Sequence, residues 1–160
     1  MERFLSPAEI LLLDISRDIE LVNEEIYLWF ADLFRESGKM RSLFLKTAQE
    51  EHNHAEQLSL AARLRTSMIE TVNLDFDEAK ETLNFVRLLL NRIKSNPPAS
   101  KDALELVIGL EEKLAKFHMD CMVGFADETF RELFRAMMAA DKYHLEALQD
   151  AYDAEVASVR

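Results

Sequence analysis

Apolar residues recur in steps of three and four along most of the chain, the period of a helix that buries one face. Ile15, Ile19, Val22, Ile26, Trp29 and Leu33 form the first such stripe. Ser6-Pro7-Ala8-Glu9 precedes it as a start signal, with Ser6 as N-cap, Pro7 at the first helical position and Glu9 closing a capping box. A stop is expected at Ser37-Gly38, the glycine taking the left-handed conformation that ends a helix. These signals predict a helix over 7–37. A second, over 39–70, carries the seam Phe44, Ala48, Glu51, His54, Leu58 and Ala61. After the break Thr71-Val72-Asn73-Leu74-Asp75, a shorter helix is predicted over 77–94. Asp77 is its expected cap, Asn96-Pro97-Pro98 stop it, and Ala79, Leu83, Val86 and Leu90 give it one apolar face. Ser100 is the expected cap of a helix over 100–125 with the seam Leu104, Val107, Glu111, Leu114, His118, Cys121 and Phe125. Asp127 takes the same role for the last helix, over 127–157, whose seam is Phe130, Phe134, Met137, Asp141, His144, Leu148 and Ala151.

Two long helices, a short one and two long ones predict an all-α protein. Its expected architecture is a four-helix bundle of two helix hairpins, with the short helix as the crossover between the second and third long helices. A length of 160 residues fits one domain spanning 1–160 and suffices for a substantial core without staples. Only three glycines and three prolines interrupt the helix formers, which agrees with this reading.

Charge and cysteine usage then narrow the function classes. A formal charge of −11 argues against nucleic acid and against anionic membranes, both of which need basic patches. No apolar run approaches the roughly 18–20 residues that span a bilayer, and Met1-Glu2-Arg3-Phe4 has no basic n-region before a continuous apolar stretch. The expectation is a soluble, cytoplasmic protein. One cysteine, Cys121, excludes an internal disulfide and a Cys-x-x-Cys metal module, and it reads as a small buried hydrophobe.

The candidate chemistry lies in the polar residues that interrupt the seams. Glu51 and His54 stand three apart on one helix face, where both reach one point off the axis. Asp141 and His144 repeat them 90 residues later, and Glu111 and His118 follow Glu20 and Tyr27 by 91. Phe44 and Leu58 likewise return as Phe134 and Leu148, so the chain is a duplicated helix hairpin. Each hairpin turn falls near the midpoint between its two acids, so at ~1.5 Å rise per residue the members return to about the same height. Burying unpaired charge costs several kcal/mol per group. The seams supply no Lys or Arg, Arg17 being the nearest, one turn before Glu20. Divalent cations solve the problem. One Glu from each of two helices plus a carboxylate-x-x-His from each of two others is a ligand set for a metal pair, with bridging carboxylates and terminal histidines. The candidate ligands are Glu20, Glu51, His54, Glu111, Asp141 and His144, with Tyr27 placed to hydrogen-bond a ligand and His118 facing the same layer. His52 points to the far side of its helix and is expected to be exposed. A mixed O and N set suits two iron ions, with manganese or zinc as the other candidates.

These motifs resemble the ferritin-like superfamily and, within it, the rubrerythrin-type diiron domain. The resemblance rests on Glu20 with Tyr27-Leu28-Trp29-Phe30-Ala31, Glu51-x-x-His54-Ala55-Glu56, Gly109-Leu110-Glu111 with Phe117, and Asp141-x-x-His144, and it covers about residues 10–155. It implies Glu20 with His54 at one metal, Glu111 with His144 at the other, and Glu51 and Asp141 between them. Asp141 departs from the family's Glu by one methylene, and Leu114 stands where rubrerythrins carry an extra carboxylate. No rubredoxin-like iron–cysteine domain accompanies these residues, so a separate electron donor such as a rubredoxin-like protein is expected. The implied activity is a diiron oxidoreductase that reduces a small-molecule oxidant, peroxide or dioxygen, as ferrous iron is oxidised, and the expected assembly is a homodimer. Iron storage and a metal-binding bundle without turnover are the alternatives.

Overall fold

The junction between the first two helices shows how local chemistry shapes the molecule. In the computed structural model, which describes residues 7–63, 76–125 and 128–158, α1 runs Pro7–Leu33 and α2 Gly38–Arg63. The helix ends at Leu33, four residues before the expected stop: Phe34 still bonds Phe30 O at 2.9 Å, but Arg35 and Ser37 bond the carbonyls three residues back, which tightens the chain into turns, and the Phe34 ring lies 6.0 and 6.2 Å from Phe30 and Phe44. Ser37 then caps α2: its Oγ accepts the Met40 N–H at 3.4 Å. Gly38 is therefore the first residue of α2, not a left-handed terminator of α1, and its φ lies outside the positive region. The remainder of the expected second helix and the break at 71–75 lie outside the described residues, as do the caps expected of Ser6 and Asp127.

α3 spans Phe76–Ser95, α4 Ser100–Gly124 and α5 Glu128–Ser158. Asp77 lies inside the first turn of α3, where its charge favours the helix N-terminus without being the cap. Ser100 is also not a cap. Ala99 occupies that position without a side-chain bond, and the Ser100 hydroxyl donates to Glu155 Oε2 at 2.8 Å, tying the start of α4 to the end of α5. All regular structure among the described residues is helical. None of these helices is long and apolar enough to cross a membrane.

α1 packs on α2 and α4 on α5 as two hairpins, α3 lies mainly against α1, and α2 meets α5 across the molecule. A single apolar cluster joins all five helices. The α4 seam is buried at all seven positions, and the α5 seam from Phe130 to Leu148 is buried throughout. In α1 the buried stripe is rotated relative to the apolar pattern. Val22, Trp29 and Leu33 are only partly covered, while Ser16, Glu20, Asn23, Tyr27 and Phe30 are sealed. Packing two hairpins face to face put the polar flank of α1 at the centre.

Candidate metal centre

Six helical positions from four helices converge in the middle of the core. Glu20 comes from α1, Glu51 and His54 from α2, Glu111 from α4, and Asp141 and His144 from α5. The four carboxylates have no exposure at all, and His54 and His144 retain 8% and 4%. Their donor atoms fall into two groups capable of holding a metal ion. One comprises Glu51, Glu111, Asp141 and His144, the other Glu20, Glu51 and His54. Glu51 belongs to both.

Satisfaction of hydrogen bonds tests whether metal ions fit here. Buried polar atoms are almost always paired, and each exception needs a reason. Nine buried side-chain atoms among the described residues lack a hydrogen bond, and seven of them lie on these six residues: Glu20 Oε2, both Glu51 oxygens, His54 Nδ1, Glu111 Oε2, Asp141 Oδ1 and His144 Nδ1. Every candidate ligand thus aims at least one unpaired atom into the layer, and the nitrogens face inward. His144 Nδ1 is 3.1 Å from Glu51 Oε1 and 3.5 Å from Glu111 Oε2, and His54 Nδ1 is 3.8 Å from Glu20 Oε2. Hard oxygen donors mixed with imidazole suit divalent iron, manganese or zinc. The residues fit the binding of metal.

The surrounding groups hold several of these side chains in place. Tyr27 donates its hydroxyl to Glu111 Oε1. His118 is also inside the layer, with Nε2 at 2.8 Å from Glu20 Oε1 and Nδ1 against Asp141 Oδ2. Its ring therefore stands between Glu20 and Asp141, and Asp141 joins only the group containing Glu111 and His144. Arg17 pairs with Asp14 and Asp18 at 3.3 and 3.0 Å, outside the layer. His52 is half-buried at the surface between Glu24 and Glu56, at 3.1 and 3.2 Å. Cys121 is buried and free, and burial foremost pushes its thiol pKa up.

Without metal, protons balance this charge. Burial opposes a charge on His118, but Asp141 and Glu20 override it and hold its pKa up at about 10. His144 is pushed to about 11 by Glu111 and Glu51, again against burial. Burial, and then the charge of Glu20, raises Glu51 well above the usual carboxylate range. Burial alone would raise Glu20 as well, yet a proton on Glu51 and the charge of His118 hold it well below that range. Burial first, then Glu111, lifts the Tyr27 phenol well above its ordinary value, so it stays a hydrogen-bond donor. A cation entering the layer replaces such protons.

Two neighbours of this centre escaped the sequence reading. Asn23, one turn after Glu20, points its Nδ2 at Glu111 Oε1 from 3.5 Å. Its spacing from Glu20 and Tyr27 was a usable signal. Glu50 reaches across from α2 to His144 Nε2. It flanks its own helix seam and contacts α5, so periodicity could not find it. Glu50 and His144 line a groove of about 360 Å³ between α2 and α5, which brings solvent to this edge of the centre.

Compared with known proteins, the chain matches no family model, no curated protein and no solved structure.

Proposed function

We propose that this protein is a ferritin-like diiron oxidoreductase of the rubrerythrin type. The observation that carries the reading is the convergence of seven unpaired buried atoms from six residues into two donor groups joined by Glu51. If bound there, a ferrous pair would supply two electrons, one per ion, the number needed with two protons to reduce peroxide to two waters. Glu20, Glu51 and His54 would hold one ion, and Glu51, Glu111, Asp141 and His144 the other. Tyr27, bonded to Glu111 Oε1, orients that carboxylate, and the apolar seams above and below the layer restrict water. An external donor, such as a rubredoxin-like protein, would return the electrons. The helical α3 in the connection between the hairpins supports this reading over iron storage, in which that connection is an extended loop.

The test is to load the metal-free protein anaerobically with ferrous iron and mix it with peroxide or dioxygen in a stopped-flow spectrometer. Two irons per chain and faster oxidation by peroxide are expected. No oxidation by either oxidant rejects the redox reading. Purification with zinc and no redox response would leave a metal-binding bundle without turnover.

A further inference from the structure

Comparison of the two donor groups exposes an imbalance that the repeat pattern conceals. We propose that the two metal positions are unequal and fill in order. The group of Glu51, Glu111, Asp141 and His144 loads first, the group of Glu20, Glu51 and His54 second, and Glu50 sets much of the gap. The inference rests on the metal-binding part of the reading above and extends it to the order of loading.

Three observations carry it. The first group offers four donors and the second three, with Glu51 shared between them. A position with one more carboxylate holds a divalent cation more tightly.

The outer nitrogen of His144 is also held, whereas that of His54 is not. Glu50 occupies His144 Nε2, which leaves Nδ1 facing Glu51 and Glu111. A carboxylate on the outer nitrogen of a ligating histidine selects the tautomer, fixes the ring and makes the inner nitrogen a better donor. His54 presents Nδ1 inward in the same sense, at 3.8 and 4.0 Å from Glu20 and Glu51. Among the described residues no carboxylate stands beside its outer nitrogen. The duplication explains why: at the 90-residue offset that pairs His54 with His144, the counterpart of Glu50 is Ala140.

Finally, Glu20 is already engaged. Its Oε1 lies 2.8 Å from His118 Nε2, while the other nitrogen of that ring is bound by Asp141. The ring thus engages one acid of each group alike, but by standing between them it keeps Asp141 out of the second group, which is left one carboxylate short.

The experiment is an anaerobic titration of the metal-free full-length protein with cobalt(II), followed by visible absorption and calorimetry. Wild type is expected to bind two ions in two steps whose dissociation constants differ at least about tenfold. Glu50→Gln keeps the shape and removes the charge at a partly exposed position. It should weaken the first step by about 10–100-fold, alter the absorption envelope of the first equivalent and spare the second. Ala140→Glu offers His54 the missing partner and should tighten the second step, narrowing the gap. Two ions binding with one affinity, or Glu50→Gln moving both steps alike, would overturn the proposal and leave the metal-binding reading intact. Failure of wild type to bind any cobalt would overturn both.

Discussion

The two hairpins are near copies in packing and unlike in chemistry. Tyr27 sits 6.0 Å from Phe44 in the first, and at the matching positions His118 sits 6.1 Å from Phe134 in the second. Each of the two polar rings crosses to the opposite half, Tyr27 to Glu111 and His118 to Glu20. The differences fall on the candidate donors and the groups that touch them. Asn23, beside Glu111, corresponds to Leu114 in the second half; Glu51 corresponds to Asp141, and Glu50 to Ala140. Duplication thus preserved the scaffold while the buried polar layer diverged. Shape constrains core positions through packing on every side, whereas a ligand position need only keep an acid or imidazole within reach of the centre.

The comparison can be broken most sharply at the shared carboxylate. Glu51 joins both donor groups and Asp141 only one. Glu51→Ala should therefore leave less than one metal ion per chain after dialysis, while Asp141→Ala should retain about one, as read by elemental analysis. Equal losses would contradict the asymmetry. The scaffold should behave in the opposite way. Phe44→Ala and Phe134→Ala each empty a fully buried ring site at equivalent positions, and each should cost about 3–5 kcal/mol in urea unfolding.

Metal removal comes next in size. A ligand present at about 1,000 times its dissociation constant stabilises a fold by about 4 kcal/mol, so chelation should lower the thermal midpoint on the order of 10 °C. The metal-free protein should also respond to pH through the second half. The raised pKa values of His118 and His144, about 10 and 11, mean that both contribute stability that is complete below about 6.5, the unfolded value. That contribution is lost as pH rises through 10 and 11. Thermal scans of the metal-free protein should fall from pH 7 to pH 10, and bound metal should flatten the decline, because the ions then balance the carboxylates.

Tyr27→Phe is the mildest change. It removes one donor from Glu111 while Asn23 remains nearby, and should cost the metal-free protein about 1–2 kcal/mol. A loss as large as that of either Phe→Ala variant would mean that Asn23 does not replace the missing donor and that Glu111 Oε1 is left buried and unsatisfied.

Much of this architecture was legible in the chain. The α4 and α5 seams were read almost residue by residue, because unbroken three–four spacing on a helix leaves little freedom over which face is buried. The gathering of six ligand candidates into one layer followed from the repeat and the helical rise. Caps were read less well. Ser37 serves the helix after it, and Ser100 bonds to Glu155, since a short hydroxyl takes whichever backbone or side-chain partner the local path brings near.

By itself the sequence determined the helices, the buried seams of α4 and α5 and the duplication that sets acids and histidines at one height. These depend on local periodicity and on rise per residue, which hold for any helix. Only the tertiary structure decided which donors share a group, that His118 separates Asp141 from Glu20, and that Glu50 reaches His144. Those relations cross between helices, where a rotation of one stripe, such as that of α1, moves a flanking residue to the centre. Spacing along one helix carries no record of such a rotation.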